Sequence, residues 1–253
     1  MDIRKRPWSG YVRSWLWVIP AASVVTAVLI TTAVATSPFA PAGRWQTGLY
    51  RLWARTVLAL FGARVRVSGG DGLSGQGHYV FVSNHLSLAD TPVMLHALPV
   101  PFRFLAKREL LRVPFIGWYL RRAGHLTVDR RSVRSSMESL NEAARLIREH
   151  SLSVLIFAEG RRSPDGTLQP FKDGAAWLAI ESGARAVPVA ILGTDRVLPA
   201  KDSCILPGDV EVRIGAPVEP AGFTLRDRGA FTRLLEERVR ALLQAPPDSA
   251  PQA

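Results

Sequence analysis

A histidine stands where a hydrophobic, strand-like run stops: Phe81-Val82-Ser83-Asn84-His85-Leu86-Ser87-Leu88-Ala89-Asp90 ends in a carboxylate five residues beyond it. Imidazole and carboxylate are the parts of a general base and the group that orients it. On a continuous α-helix two positions five apart are separated by about 500°, roughly 140° round the axis, and do not face each other. They meet only if the backbone bends between them. With His85 in a loop and Asp90 in the first turn of a helix, the carboxylate accepts the N–H of one ring nitrogen and leaves the other as the base. A plainer pattern fits the same residues: Asp90 as the N-cap of a helix opening near Pro92, with Asn84 and Ser87 as turn residues.

The elements around this turn read as strand before and helix after. Tyr79 to Val82 are aromatic and β-branched, as in a buried strand, and Thr91 to Leu95 opens a helix. Three further blocks carry charge. Phe102 to Ala106 reads as a short strand followed by Lys107 and Glu109, ahead of an apolar stretch from Pro114 to Tyr119. Gly124-His125-Leu126-Thr127-Val128-Asp129-Arg130 is a β-run closed by an acid and an arginine. Ser153 to Phe157 is an apolar strand of the kind buried in parallel sheets, and it ends in Ala158-Glu159-Gly160-Arg161-Arg162-Ser163. A glutamate at the carboxyl end of such a strand lies where open α/β sheets place ligands.

Asn84-His85, four residues, then Asp90 resembles the first signature of the glycerolipid acyltransferases, the lysophosphatidic acid acyltransferase family. The other blocks, in the same order, extend the resemblance over roughly residues 60 to 215. It implies acyl transfer from coenzyme A or acyl carrier protein to the free hydroxyl of 1-acylglycerol 3-phosphate, giving phosphatidic acid. His85 would deprotonate that hydroxyl, Asp90 would orient His85, and a backbone amide near the turn would meet the oxyanion. Arg130 and Arg162 would bind the acceptor phosphate, as guanidinium grips phosphate bidentately without losing charge. Glu159 and Gly160 would shape the acceptor site, and Lys107 would meet an anionic substrate or simply be a solvated lysine. Ala186 to Ile191 resembles the fourth block, a buried strand whose Pro188 would line the acyl path. Two departures stand out: Ala158 replaces the usual proline and Arg161 a small residue. The extra arginine would suit a larger anionic headgroup, and an alternative reading keeps the chemistry with another lysolipid acceptor, such as lyso-ornithine lipid. No cofactor is implied beyond the acyl co-substrate, and no metal: His78, His96, His125 and His150 lack ligand spacing.

The chain has 253 residues, 47% of them hydrophobic, enough for one substantial core and an appendage. Its formal charge of +11 raises the question of nucleic acid. The arginines are scattered, and no zinc-finger, homeodomain-like or RNA-binding signature accompanies them, so an anionic membrane surface and phosphate-bearing substrates are the expected partners. One cysteine, Cys204, excludes an internal disulfide framework and fits a reduced, cytosol-facing domain at the cell membrane.

Ser14 to Gly43 holds no charged residue, and Trp15 to Val34 as a helix would span about 30 Å, a bilayer core. Trp15 and Trp17 suit the interfacial belt, and Pro20 falls near the helix start. A signal peptide ending near Ala33-Val34-Ala35 is the rival reading. Basic residues on both sides leave orientation open, and a helix pair in one leaflet is as consistent as one crossing. Gln46 to Phe61 is amphipathic, with Leu49, Trp53, Val57 and Leu60 on one side. The expected organisation is an anchor over 1–62, with helices at about 15–36 and 46–61, a catalytic domain over 63–244 and a loose tail over 245–253. The catalytic part is α/β, a layered and mostly parallel sheet flanked by helices. Gly70-Asp71-Gly72-Leu73-Ser74-Gly75 matches a dinucleotide-binding fingerprint, which needs a helix to follow; a strand at His78 to Val82 argues for a simple loop. A non-catalytic, anchored lipid-binding module is the alternative from another class.

Overall fold

Tyr79 to Val82 show no exposed surface on either side, and they form the middle of a seven-stranded sheet. This is a computed structural model, and it describes residues 6–36, 44–75, 77–113, 116–129 and 131–246. Strands β1 (Ala63–Gly69), β2 (Tyr79–Ser83), β3 (Arg103–Lys107), β4 (Leu126–Val128), β5 (Val154–Phe157), β6 (Arg185–Leu192) and β7 (Gly208–Ile214) lie in the order β1-β7-β6-β2-β5-β3-β4. From β6 to β4 all neighbours are parallel; β7 reverses against β6, and β1 runs with β7. The carboxyl ends of five strands therefore share one edge, where α/β sheets bind ligands.

Strand pleating sends alternate side chains to opposite faces. On one face Tyr79, Phe81, Leu155, Val187 and Ile191 pack beneath helix α2 (Arg44–Phe61) and helix α3 (Asp90–Ala97). On the other, Val80, Val82, Val154 and Ile156 meet α5 (Val133–His150), α6 (Gly174–Ser182) and α8 (Arg228–Gln244). Two short helices, α4 (Ile116–Arg122) and α7 (Thr194–Val197), complete the layers. Helix α5 begins at Val133 because the Ser132 hydroxyl accepts the Ser135 N–H at 3.0 Å and caps it.

Helix α1 runs over Trp8–Thr36, 29 residues, long and apolar enough to cross a membrane. Its start lies before the apolar run, because its first turns dock on the loop that follows α7. The Arg6 guanidinium donates to the carbonyls of Arg196 and Cys204, each at 2.6 Å, and the Ile205 N–H donates to Ser14 Oγ at 2.8 Å. Pro20 consequently falls in the helix interior rather than near an end. A wider π-type turn over Ser14–Val18 stands just before it, the local adjustment that commonly accompanies an interrupted helical ladder. Trp53 donates to Thr26 Oγ1 at 2.9 Å and ties α2 to α1. The inward side of α2 is Ala54, Val57, Leu58 and Phe61, so this helix packs on the domain.

The glycine run between β1 and β2 contains no helix among its described residues, and the next element is strand β2. A dinucleotide site of the fingerprint type is thereby excluded. Gly69 is required for another reason: its φ is +74°, and a Cβ there would collide with the Ile214 carbonyl oxygen.

Candidate active site

Strand β2 ends at Ser83, and the chain then folds back on itself before α3. The Asn84 side chain pairs with a backbone unit of β6, donating to the Ile191 carbonyl at 2.9 Å and accepting its N–H at 2.8 Å. Ser87 donates to the Leu198 carbonyl and accepts the Ala89 N–H at 3.0 Å. Through these bonds Asn84 and Ser87 hold the loop that carries His85.

The bend brings the pair together. His85 Nδ1 lies 2.7 Å from Asp90 Oδ2. Asp90 is wholly buried in the first turn of α3, and the same oxygen accepts the N–H groups of Leu86 at 2.7 Å and Ser87 at 2.9 Å. An ionised carboxylate only accepts, so the proton of that imidazole contact sits on Nδ1 and Nε2 is left as acceptor. The ring stacks on Phe157 at 4.0 Å and 10°, and its side chain keeps 18% of its surface in solvent. A held, correctly protonated and accessible imidazole is the arrangement a general base needs. Phe157 was not singled out in the sequence; its signal is its place as the last residue of β5, opposite Ser83.

Glu159 is only 2% exposed and does not open toward a ligand. Its Oε1 accepts the backbone N–H of His85 at 2.8 Å and its Oε2 that of Gln169 at 3.2 Å. With the Ser163 N–H donating to the His85 carbonyl at 2.7 Å, the turn after β5 grips the His85 backbone from both sides. Gly160 makes the turn possible at φ +72°, where the aliphatic end of Lys172 covers it. Burial pushes the Glu159 carboxyl up to about 7, against the pull of its two amide bonds. Below about 4.5 both folded and unfolded chains hold this proton; above it the unfolded chain ionises first. Stability from this group thus declines as pH rises from about 4.5 through about 7. Glu159→Gln removes that slope, and the difference in unfolding free energy between wild type and variant should change across this window by on the order of 3 kcal/mol. A difference that is flat with pH would refute the assignment.

Cationic groups border this turn. Arg162 Nη1 donates to the Ala200 carbonyl at 3.0 Å, which positions the guanidinium with other donors to spare, and Arg161 and Lys172 are exposed beside it. A cavity of about 430 Å³ opens next to Leu86 and Ser163, bounded by Tyr11, Pro199, Ala200 and Lys201. Lys107 ends β3 on the same sheet edge, exposed and 3.3 Å from Glu109. At the end of β4 Asp129 is buried. Arg131 and Arg108 bind its carboxylate, at 3.0 Å from Nε and 3.2 Å from Nη1 respectively, and hold it well below the usual carboxylate range. Arg130, expected to bind phosphate, lies outside the described residues. Pro188 is buried inside β6, opposite Val82, and its carbonyl accepts the Gly215 N–H at 2.8 Å just where β7 ends. The N–H it lacks would point to that same side, so a proline is tolerated in this interior strand.

The expected oxyanion amide is narrowed by this geometry. The amides of His85, Leu86 and Ser87 are all committed to carboxylates, whereas the Leu88 N–H has no partner among the described residues.

The fold of this chain has a solved counterpart. The crystal structure of the 1-acyl-sn-glycerophosphate acyltransferase of Thermotoga maritima matches 94% of this chain and all of that one, with a TM-score of 0.77 and 25% identity. Residues 64–192 match the family described as Acyltransferase, and the chain belongs to it. Among its relatives, a chloroplastic 1-acyl-sn-glycerol-3-phosphate acyltransferase of Brassica napus is 34% identical over 170 residues, 66% of this chain and 48% of that protein. The alpha form of Homo sapiens is 32% identical over 192 residues, 76% of this chain and 66% of that protein. The chain spans about half the length of the plant relative.

Proposed function

We propose that this protein transfers a fatty acyl group from acyl-coenzyme A or acyl carrier protein to the hydroxyl of 1-acyl-sn-glycerol 3-phosphate, forming phosphatidic acid. The observation that carries the reading is the 2.7 Å contact between His85 and Asp90 inside the segment that matches the family. His85 Nε2 takes the proton of the acceptor hydroxyl as its oxygen attacks the thioester carbon. The C–S bond then breaks, and the proton passes from the imidazolium to the leaving thiolate. Asp90 stabilises the imidazolium, and the Leu88 N–H is available to the oxyanion. No covalent enzyme intermediate is needed. The relatives and the solved neighbour named above, each an acyltransferase of this acceptor by name, support the choice of substrate. Residues 63–244 carry the reaction, α1 enters the cell membrane, and the catalytic part faces the cytoplasm.

Arg162 binds the acceptor phosphate. Transfer of radiolabelled oleoyl from coenzyme A in detergent micelles tests the whole reading. Arg162→Ala should raise KM for 1-acylglycerol 3-phosphate by about 10–10²-fold, the range for one charge-assisted hydrogen bond, with little change in KM for the donor. An unchanged acceptor KM removes Arg162 from the site. One observation favours a second acceptor: the exposed Arg161 adds a cation beside Arg162 and suits another lysolipid headgroup. Activity on lyso-ornithine lipid but not on 1-acylglycerol 3-phosphate would keep the reaction class and replace the substrate. No transfer with any donor and lysolipid by folded protein would leave a lipid-binding module.

A further inference from the structure

Large apolar side chains outside α1 and α2 are mostly inside the protein, with one grouped exception. Leu110 and Val113 follow β3, Ile116 and Trp118 stand on α4, and all four are exposed, the first three at 39% and the tryptophan at 56%. Arg112, Arg121 and Arg122 lie among them, also exposed. Helix α4 packs against the Ile19–Thr36 part of α1, whose own outward side carries Val24 and Val28. The exposed residues of α4 are thus carried on a helix that lies directly against the long apolar helix. Because β3 is parallel to β5, and β5 to β2, the patch also begins on the sheet edge that bears the His85 turn. Leu88 extends an exposed apolar side chain from that turn itself.

We infer that Leu110, Val113, Ile116 and Trp118 form a second membrane-contact surface, by which the catalytic domain lies on the leaflet that holds α1. Its occupant is an anionic bilayer surface. Tryptophan and aliphatic side chains interleaved with arginine match the boundary between acyl chains and headgroups, where an indole sits half in each and guanidinium meets phosphate. Contact with α1 fixes the depth, since a helix within the bilayer brings α4 to the interface with it. The carboxyl edge of the sheet then faces lipid, and a lysolipid reaches the His85 turn without leaving the membrane. The inference rests on α1 as a bilayer helix but not on the identity of the reaction.

Cys204 is buried, so an introduced exposed cysteine can be labelled selectively with an environment-sensitive fluorophore. Full-length Trp118→Cys, Val28→Cys on α1 and Glu142→Cys on α5 are each labelled and reconstituted in mixed phosphatidylcholine and phosphatidylglycerol vesicles. Circular dichroism checks each fold. The expected result is blue-shifted emission quenched by doxyl-labelled lipid at positions 28 and 118, and neither change at 142. Aqueous emission at 118 with lipid contact at 28 overturns the second surface and leaves the anchor standing. Aqueous emission at both positions overturns the anchor and the surface together. Shielding at 118 that grows with protein concentration and resists doxyl lipid would assign the patch to a second copy of the chain, and would also overturn it.

Discussion

His85→Ala should lower the rate of acyl transfer by about 10²–10⁴-fold, the usual contribution of a general base, while the protein still folds. The loop does not depend on the imidazole for its shape. The bonds from the His85 N–H to Glu159 and from the Ser163 N–H to the His85 carbonyl are made by backbone, and Asp90 keeps the Leu86 and Ser87 amides. Turnover is measured with saturating oleoyl-coenzyme A and acceptor, and thermal melting follows in the same buffer. The loss should fall on kcat, since no substrate-binding group is removed. A variant that melts normally and turns over near the wild-type rate would end the base assignment.

In the proposed mechanism Asp90 joins base orientation to folding, so two substitutions separate the two roles. Asp90→Ala strands the buried N–H groups of Leu86 and Ser87, at about 1–3 kcal/mol for each unsatisfied donor, and also frees the imidazole ring. A variant with a melting temperature well below that of the wild type and little activity is expected. Asp90→Asn behaves differently because Oδ1 is buried and makes no hydrogen bond among the described residues. An asparagine can place its oxygen at the Oδ2 position, satisfy all three donors, and turn its NH₂ toward the space of Oδ1. The fold should survive nearly intact. Charge is lost, however, and the imidazolium formed in the transition state is held by a neutral acceptor, which should reduce kcat by about 10–10²-fold. A folded Asp90→Asn that turns over at the wild-type rate would leave Asp90 with only a structural role.

The catalytic reading thus depends on a turn whose parts were visible in one stretch of sequence. Strand-forming residues up to Val82, a helix opening near Pro92 and turn residues between them require a reversal, and five residues are enough for a side chain at each end to meet. Glu159 was also legible as a residue at the end of a buried strand. Its work was not: it clamps the His85 backbone 74 residues away, a contact created when β2 and β5 pair in parallel. The same limit applies to Phe157 beneath the ring and to Asp129, whose partners Arg108 and Arg131 come from different segments. In α1 the apolar run was evident, but the helix begins at Trp8 because Arg6 and Ser14 bond to residues nearly two hundred positions away.

By itself the sequence determined the element types, the His–Asp pair, the apolar amino-terminal helix and the loop character of the glycine run. These follow from side-chain periodicity, turn chemistry and short spacing, all local properties of the chain. Tertiary structure alone decided which strands are neighbours, hence that Glu159 positions rather than receives, that Pro188 sits where β7 departs, and that α4 lies against α1. Those outcomes depend on pairing and packing between distant segments, and a linear pattern does not encode which buried surfaces will meet.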